Sequence, residues 1–316
     1  MKIVFLFFKL IVTASLCYWL FSNVDFHTLQ ADLERIGMLL ITAGVLLHAV
    51  VYLLGALRWW QLLNFTHATT PFLKAFPSYY LGVFFNNFLP TGLGGDTVRI
   101  LHLRVRGIGT KSLVSSTVVD RVIGLSTVMV MAVCGVFISE NLGVSDHAKV
   151  VLVGACLACF LVAGILLSDR SVRFVEALTK KYHRTRLRKW VLEIVLICFT
   201  YRATKTRIVF AYALSIVGQS LIIVTYYLLG RGLGLDLPLA TYFVAIPAVF
   251  LAASLPISIG GLGVREGTLV GILAAAGADM SIAINLSLAY LLVLWISSMP
   301  GALVILFSRK HTNNPA

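Results

Sequence analysis

Charged residues are scarce in this sequence. They make up 12% of the 316 residues, whereas 59% are hydrophobic, and the mean hydropathy is +0.92. Soluble domains carry roughly 25% charged residues. A soluble core cannot hide so much apolar side chain, so the composition excludes an ordinary soluble domain and predicts an integral membrane protein.

Motifs for catalysis and nucleotide binding are also missing. The sequence contains no H-E-x-x-H, no G-x-S-x-G and no P-loop. We therefore expect no enzyme, no catalytic residue, no cofactor, no metal and no ATP-driven transport by this chain alone. Cysteines are few and lie in or beside apolar segments, where we interpret them as small packing residues rather than as a redox or metal site. They are Cys17, Cys134, Cys156, Cys159 and Cys198.

The net charge of +13 has a distribution that argues against nucleic acid as a partner. Its basic residues gather in short stretches between apolar runs, as in cytoplasmic loops of membrane proteins. Such stretches also attract anionic headgroups. With the basic residues placed inside, both termini are cytoplasmic, and the protein is predicted to be a multi-pass protein of the cell inner membrane.

Six segments are long enough to span a bilayer, which takes about 20 apolar residues. The first has no A-x-A-type cleavage site after it and is predicted to stay as a helix. A shorter apolar stretch, Trp190–Tyr201, is predicted to lie on the cytoplasmic leaflet. The six predicted spans are Ile3–Phe21, Ile36–Leu57, Ser112–Ser139, Val150–Leu167, Ile208–Gly230 and Ile282–Phe307.

Two further apolar stretches, Phe72–Val98 and Leu239–Ala276, are interrupted by proline and glycine. The charge-based orientation is consistent only if each stretch returns to the side from which it entered. Both are therefore predicted to be re-entrant helical hairpins. Non-helical backbone at membrane depth is tolerated only where protein buries it or where it lines a polar cavity.

The two interrupted stretches share the pattern L-P-x-x-x-G-G-x-x-V-R. Pro90 and Pro256 have the same separation along the chain as Arg99 and Arg265, and we call positions related by this separation equivalent. The flanking spans are also equivalent, and one span lies between the halves, so the sequence predicts an inverted-topology repeat. Such repeats are typical of secondary transporters.

The predicted organisation is a single membrane domain, 1–316. Its parts are an extra N-terminal helix and outer loop (1–35), repeat A (36–139, re-entrant 72–98), a linking helix (150–167), a basic cytoplasmic loop with the interfacial helix (168–207) and repeat B (208–307, re-entrant 239–276).

The glycine motifs and the charges beside them are the candidate binding site. Glycine lets the chain reverse and lets a ligand approach closely, and free amides at the next helix start favour an anion such as a lipid phosphate. Tight packing alone also explains a Gly-Gly pair. The charges either neutralise one another or line a path for a headgroup, and these two interpretations are compatible. The candidate residues are Asn86, Asn87, Gly94, Gly95, Asp96, Arg99, Asp120, Arg121, Gly260, Gly261, Arg265 and Glu266.

Two other features lie in the second predicted span or at its end. Arg58 and Trp59 are interpreted as a membrane-interface anchor, with headgroup binding as the alternative. His48 is a lone histidine, for which a packed, hydrogen-bonded role is favoured over a proton relay.

These motifs resemble the transmembrane region of lysylphosphatidylglycerol synthase, also called the flippase-like domain, over nearly the whole chain. The residues that carry the resemblance are Asn86-Asn87-Phe88-Leu89-Pro90 running into Gly94-Gly95-Asp96 and Arg99; Asp120-Arg121; and Ser258-Ile259-Gly260-Gly261-Leu262-Gly263 running into Arg265-Glu266. In that family the region is thought to move lipids between leaflets, and in synthase members it is fused to a transferase domain. No transferase domain occurs in these 316 residues, so the resemblance implies lipid translocation rather than lipid aminoacylation.

The predicted function is a lipid translocase that moves a phospholipid or a polyprenyl- or hopanoid-type lipid. The predicted partners are membrane lipids and, as an option, a separate lipid-modifying transferase; the oligomeric state is left open. Two alternatives stand beside it: an ion-coupled transporter of a small anion, and a membrane accessory subunit of a lipid-modifying transferase.

Overall fold

The computed structural model describes residues 11–16, 18–20, 22, 26–66, 70–88, 94–138, 153–154, 157, 205–254, 258 and 261–305. All regular secondary structure in these ranges is helical. The predicted linking helix and N-terminal span lie largely outside the described residues. Outside the described residues also lie the C-terminal tail, both Leu-Pro pairs of the repeat and Gly260. The same holds for the basic loop with its predicted interfacial helix, except for the last residues of that loop.

Eight α-helices with complete bounds make up most of the described part of the fold. They are α1 (Phe26–Leu63), α2 (Phe72–Phe88), α3 (Gly94–Arg104), α4 (Thr110–Ile138), α5 (Lys205–Gly232), α6 (Leu239–Ser254), α7 (Val264–Ala275) and α8 (Met280–Ser298). Within the described ranges, four segments are long and apolar enough to cross a membrane: Leu29–Leu63, Thr110–Ile138, Thr206–Gly232 and Met280–Ile305. They correspond to four of the six predicted spans.

Helix α1 begins earlier than the sequence analysis predicts. The predicted outer loop is already helical from Phe26 onward, in a segment rich in residues with good helix propensity. Gln30 supports this segment by donating a hydrogen bond to Glu34 one turn later, at 3.2 Å. Gly37 has φ 75° and ψ 154°, a conformation open to glycine, and it kinks α1 where the charged segment meets the apolar one.

Each interrupted stretch forms two helices that pack against each other, α2 with α3 and α6 with α7. Helix α2 ends at Phe88 and α6 at Ser254, in both cases just before the Leu-Pro pair of the motif. Proline disfavours helical geometry at the residue before it, which explains why both helices end there. That the chain turns back to the side from which it entered stays a prediction.

The packing repeats between α1–α4 and α5–α8. Helix α1 packs along α5, α4 contacts α6 as α8 contacts α2, and α1 contacts α8 as α5 contacts α4. Gly135 and Gly301 are equivalent positions, and both bring their helix against a backbone carbonyl, of Phe243 and Tyr80 respectively. Both halves thus bring a glycine against a backbone carbonyl of the other half, although their inverted orientation stays a prediction.

Large apolar side chains are distributed between a core and an outer surface. The main core lies among α5–α8 and includes the fully buried Tyr226, Tyr242 and Tyr290. On the outside, Leu39 and Leu73 are more than four-fifths exposed. An apolar exterior of this kind suits contact with lipid rather than with water.

Candidate functional site

Helices α2 and α3, which we call the first hairpin, lie very close to each other. The hydroxyl of Ser78 lies 2.7 Å from Nδ1 of His102, while Gly82 faces Gly95 nearer the turn. A Cβ atom on Gly95 would overlap the carbonyl oxygen of Gly82. Only glycine therefore fits at Gly95, and its role here is close packing between backbones.

Two predicted asparagines stand at this end of the hairpin. The side-chain oxygen of Asn86 accepts a hydrogen bond from the backbone N–H of Gly95 at 3.0 Å. It thereby satisfies one of the donors that the start of helix α3 leaves free. The side-chain nitrogen of Asn87 is buried and lies near the hydroxyl of Tyr52.

A cluster of five charged side chains lies where the first hairpin meets α1 and α4. Arg58 from α1 donates from Nε to Asp120 Oδ1 at 2.7 Å and from Nη1 to Ser215 Oγ of α5 at 2.8 Å. Arg99 from α3 reaches the other oxygen of Asp120 at 3.3 Å. We call Arg58, Asp96, Arg99, Asp120 and Arg121 the charge cluster.

The second carboxylate of the cluster joins its remaining members. Asp96 lies one turn before Arg99 on α3, and their side chains approach to 3.0 Å. Arg121 of α4 donates from Nε to the other oxygen of Asp96 at 2.7 Å. Two aspartates therefore bridge three arginines, which connects α1, α3 and α4 through charge-assisted hydrogen bonds.

Burial differs sharply within the charge cluster. The side chains of Arg99 and Asp120 are each 5% exposed, whereas that of Arg121 is 46% exposed. The guanidinium of Arg99 also lies 4.6 Å above the ring of Trp59 and 5.4 Å from that of Tyr79, and its Nε has no partner among the described residues. Aromatic faces stabilise a cation that has lost its water.

Arg58 and Trp59, which the sequence analysis interprets as a membrane-interface anchor, have their side chains inside the protein rather than on its outer surface. Trp59 is fully buried, and Arg58 binds Asp120 inside the protein. Both residues occupy the end of α1 that faces α3 and α4, where Arg58 pairs with the buried carboxylate of Asp120 at 2.7 Å, as charges within membrane segments generally do. The sequence indicated this pairing only through the rule that charges inside a membrane need partners of opposite sign. The sequence analysis missed Ser215, which accepts a hydrogen bond from Arg58, and Tyr79, which lies beside Arg99.

The second hairpin carries a simpler arrangement at the start of α7. Arg265 donates from Nε and Nη2 to Glu266 Oε1, at 2.9 and 2.5 Å. The other carboxylate oxygen of Glu266 accepts the backbone N–H of Gly263 at 2.6 Å, as in a capping box. Gly261 and Gly263 have φ of 78° and 79°, which glycine adopts without strain.

A line of aromatic and polar groups runs between the two hairpins. The guanidinium of Arg265 lies 6.0 Å from the ring of Tyr290, whose hydroxyl lies 3.0 Å from Nε2 of His48. Beyond His48, Tyr52 and then Tyr80 follow in edge-to-face contact. His48 is thus a packed, hydrogen-bonded side chain. It lies in the middle of a chain of contacts that begins at Arg265 of the second hairpin and ends at Tyr80 of the first.

The structure brings the predicted residues into two groups rather than one. The first contains Asn86, Gly95 and the charge cluster; the second contains Gly261, Arg265 and Glu266. Gly94 opens helix α3. In the described part of the chain, no group of three or more His, Cys, Asp or Glu side chains could hold a metal ion.

Apolar membrane-crossing helices and a buried ionic cluster together define an all-α polytopic membrane protein. The model of the family described as "Lysylphosphatidylglycerol synthase TM region" matches residues 6–301, and the chain belongs to this family.

Two archaeal relatives are UPF0104 membrane proteins. The protein of Pyrococcus horikoshii is 22% identical over 304 residues, covering 87% of this chain and 89% of the relative. The protein of Methanothermobacter thermautotrophicus is 23% identical over 277 residues, covering 80% and 78%. No solved structure matches the chain at a significant level.

Proposed function

We propose that this protein moves a lipid between the leaflets of the cytoplasmic membrane. The observation that carries the proposal is the charge cluster, in which buried aspartates and arginines from three helices meet beside a helical hairpin. Each charge at the centre of a bilayer costs roughly 2.5–3.5 kcal/mol on insertion scales. Five such charges in one place suggest a polar route rather than a random defect in an apolar protein.

The headgroup is proposed to contact the charge cluster while the acyl chains stay in the bilayer. Arg99 and Arg121 bind the phosphate, and Asp96 and Asp120 balance the arginines when no lipid is present. Arg265 is held by Glu266 within its own helix, and we assign this pair to stabilising the second hairpin. Membership of the family of the lysylphosphatidylglycerol synthase TM region supports a lipid as the cargo.

The repeated packing of α1–α4 and α5–α8 supports an alternating-access mechanism. In an inverted repeat, the two halves exchange conformations and open the central route first to one side and then to the other. The proposed orientation places both termini in the cytoplasm. A transport role, rather than a catalytic one, is part of this proposal, and a separate transferase is a proposed partner.

The proposal is tested by reconstituting the purified protein into sealed vesicles that contain a fluorescent phospholipid. A membrane-impermeant quencher then measures how much of the inner-leaflet probe becomes accessible. We expect faster exposure than in protein-free vesicles, and a loss in an Arg99→Ala variant, with Arg231→Ala as control because Arg231 pairs with Asp236 away from the cluster.

Two results would contradict the assignment. Equal rates in protein-free and protein-containing vesicles would exclude lipid translocation under these conditions, and uptake of a soluble anion instead would favour the small-anion transporter. If Arg265→Ala removed translocation while Arg99→Ala did not, the roles of the two hairpins would be reversed. Copurification with a transferase, without translocation, would favour the accessory subunit.

A further inference from the structure

The charge cluster contains one positive charge more than it contains negative charges. Its three guanidinium groups belong to Arg58, Arg99 and Arg121, and its two carboxylates to Asp96 and Asp120. Four of the five side chains are at most 14% exposed. An uncompensated charge in such surroundings is unfavourable, so the cluster is electrically suited to one singly charged anion.

The unused hydrogen-bond donors lie on the arginines. In the described part of the structure, Nε of the buried Arg99 has no partner, and the hydrogen bond of Arg121 runs from Nε to Asp96. Arg58, in contrast, already donates to both Asp120 and Ser215. Arg99 approaches both carboxylates, whereas Arg58 and Arg121 each pair with one. The excess charge is therefore shared over the cluster, and Arg121, whose side chain is 46% exposed, is its most accessible arginine.

The second hairpin has no such excess. Arg265 and Glu266 neutralise each other one to one, and the second oxygen of Glu266 is occupied by the N–H of Gly263. The positions equivalent to Asp120 and Arg58 in the second half are apolar, namely Leu286 and Val224. The balance of charges thus favours a single anion site per chain, at the first hairpin.

We propose that the charge cluster selects a net anionic phosphodiester headgroup over a zwitterionic one, with Arg121 as the residue that contacts it first. This rests on the proposed function, because it assumes that the cluster receives the headgroup. A phosphodiester carries one negative charge and cancels the excess. A zwitterionic headgroup brings its own cation, for which neither aspartate is free, since both already accept from arginine.

The test measures equilibrium binding to the purified full-length chain in neutral detergent. The probes are short-chain phosphatidylglycerol, short-chain phosphatidylcholine and glycerophosphoglycerol, which is the anionic headgroup without acyl chains. We expect phosphatidylglycerol to bind about tenfold more tightly than phosphatidylcholine, the scale of one charge-assisted hydrogen bond. Equal affinity for the two lipids would overturn the proposal.

Variants locate the site. Arg121→Gln is expected to remove most of the preference for phosphatidylglycerol, and Arg121→Lys to keep it, because lysine preserves the charge. Arg231→Gln is the matched control, since Arg231 is 50% exposed and also pairs with an aspartate. Arg121 is half-exposed, so both of its variants are expected to fold, which thermal unfolding checks. An Arg121→Gln protein that binds like Arg231→Gln would refute the assignment.

The probe without acyl chains separates this inference from the proposed function. If glycerophosphoglycerol binds much more weakly than phosphatidylglycerol, the ligand is a lipid and both proposals are supported. If it binds equally well and Arg121→Gln weakens it, the anion site is correct but the ligand is a soluble phosphodiester, which contradicts lipid translocation. Binding of phosphatidylglycerol without translocation in vesicles would likewise support the site and contradict the function.

Discussion

The two hairpins carry the same glycine and arginine motif, but their arginines are neutralised in different ways. Arg99 is held by Asp96 of its own helix and Asp120 of α4, whereas Arg265 is held by its neighbour Glu266. At the positions equivalent to the two aspartates, the second half has leucines, Leu262 and Leu286. Arg265 is therefore neutralised by its own helix alone, whereas Arg99 is also paired with an acid of another helix.

This difference shows that both halves of a repeat can share the close contact of a glycine with a backbone carbonyl, while only one half contains the charge cluster. The close approaches at Gly135 and Gly301 occur in both halves, because helix packing in lipid depends on small residues in each. The charge cluster connects three helices of the first half and one of the second. We therefore expect substitutions in the cluster to have larger effects than matching substitutions at the second hairpin.

The largest effect is expected for Asp120→Asn. The change leaves Arg58 and Arg99 buried with one carboxylate fewer, and we expect it to reduce the free energy of unfolding by about 3 kcal/mol or more. Detergent-induced unfolding followed by tryptophan fluorescence measures this. Asp236→Asn is the control, because Asp236 is 93% exposed, and its loss should be below about 1 kcal/mol. Equal losses would mean that the cluster is not a buried ionic network.

A smaller and equal effect is expected for Gly135→Ala and Gly301→Ala. In each case the new methyl group meets a backbone carbonyl of the other half, of Phe243 or of Tyr80, which cannot move aside as a side chain can. We expect each variant to lose about 2 kcal/mol in the same unfolding measurement. If one variant kept the free energy of unfolding of the wild type, the close contact at that glycine would be absent, and the two halves would differ in this feature.

At the second hairpin, Glu266→Ala and Glu266→Gln separate capping from charge. Alanine removes both the acceptor for Gly263 N–H and the partner of Arg265, whereas glutamine keeps an acceptor for the cap. We expect alanine to be less stable than glutamine by about 1 kcal/mol. Identical stability of alanine and glutamine would mean that the cap contributes nothing.

The smallest effect is expected for Gly271→Ala, and it has the opposite sign. Gly271 is exposed inside α7, and no atom lies near the position of an added Cβ. Alanine has a higher helix propensity than glycine, so the free energy of unfolding should rise by about 0.5–1 kcal/mol. A decrease, measured beside the wild-type protein, would show that this face of α7 packs against another part of the chain or a second copy.

Much of the fold followed from local patterns. The spans Ser112–Ser139 and Ile208–Gly230 closely match the helices α4 and α5, because a run of about 20 apolar residues has few stable alternatives in lipid. The breaks near Pro90 and Pro256 were predicted as well. The kinked extension of α1 through Gly37 was not, since its polar residues suit a loop as well as a helix.

The candidate site was predicted as a set of residues but not as an arrangement. Asp120 and Arg121 were recognised as intramembrane charges, yet their partners Arg58 and Asp96 lie on other helices. Arg58 was assigned to the membrane interface, as its place after an apolar run suggested. Which charges meet depends on how the helices are rotated and packed, and sequence spacing along one helix does not contain that information.

The sequence by itself determined the membrane class, the helical breaks and the motif repeated at a constant separation, because the cost of exposing polar backbone to lipid acts on each segment separately. Only the tertiary structure decided that Arg58 contacts Asp120 and also Ser215 of a distant helix. It likewise brought three arginines and two aspartates together in the charge cluster, while Arg265 at the second hairpin pairs with Glu266 alone. Ion pairs are short-range contacts between helices, so they exist only once packing has brought their ends within about 3 Å.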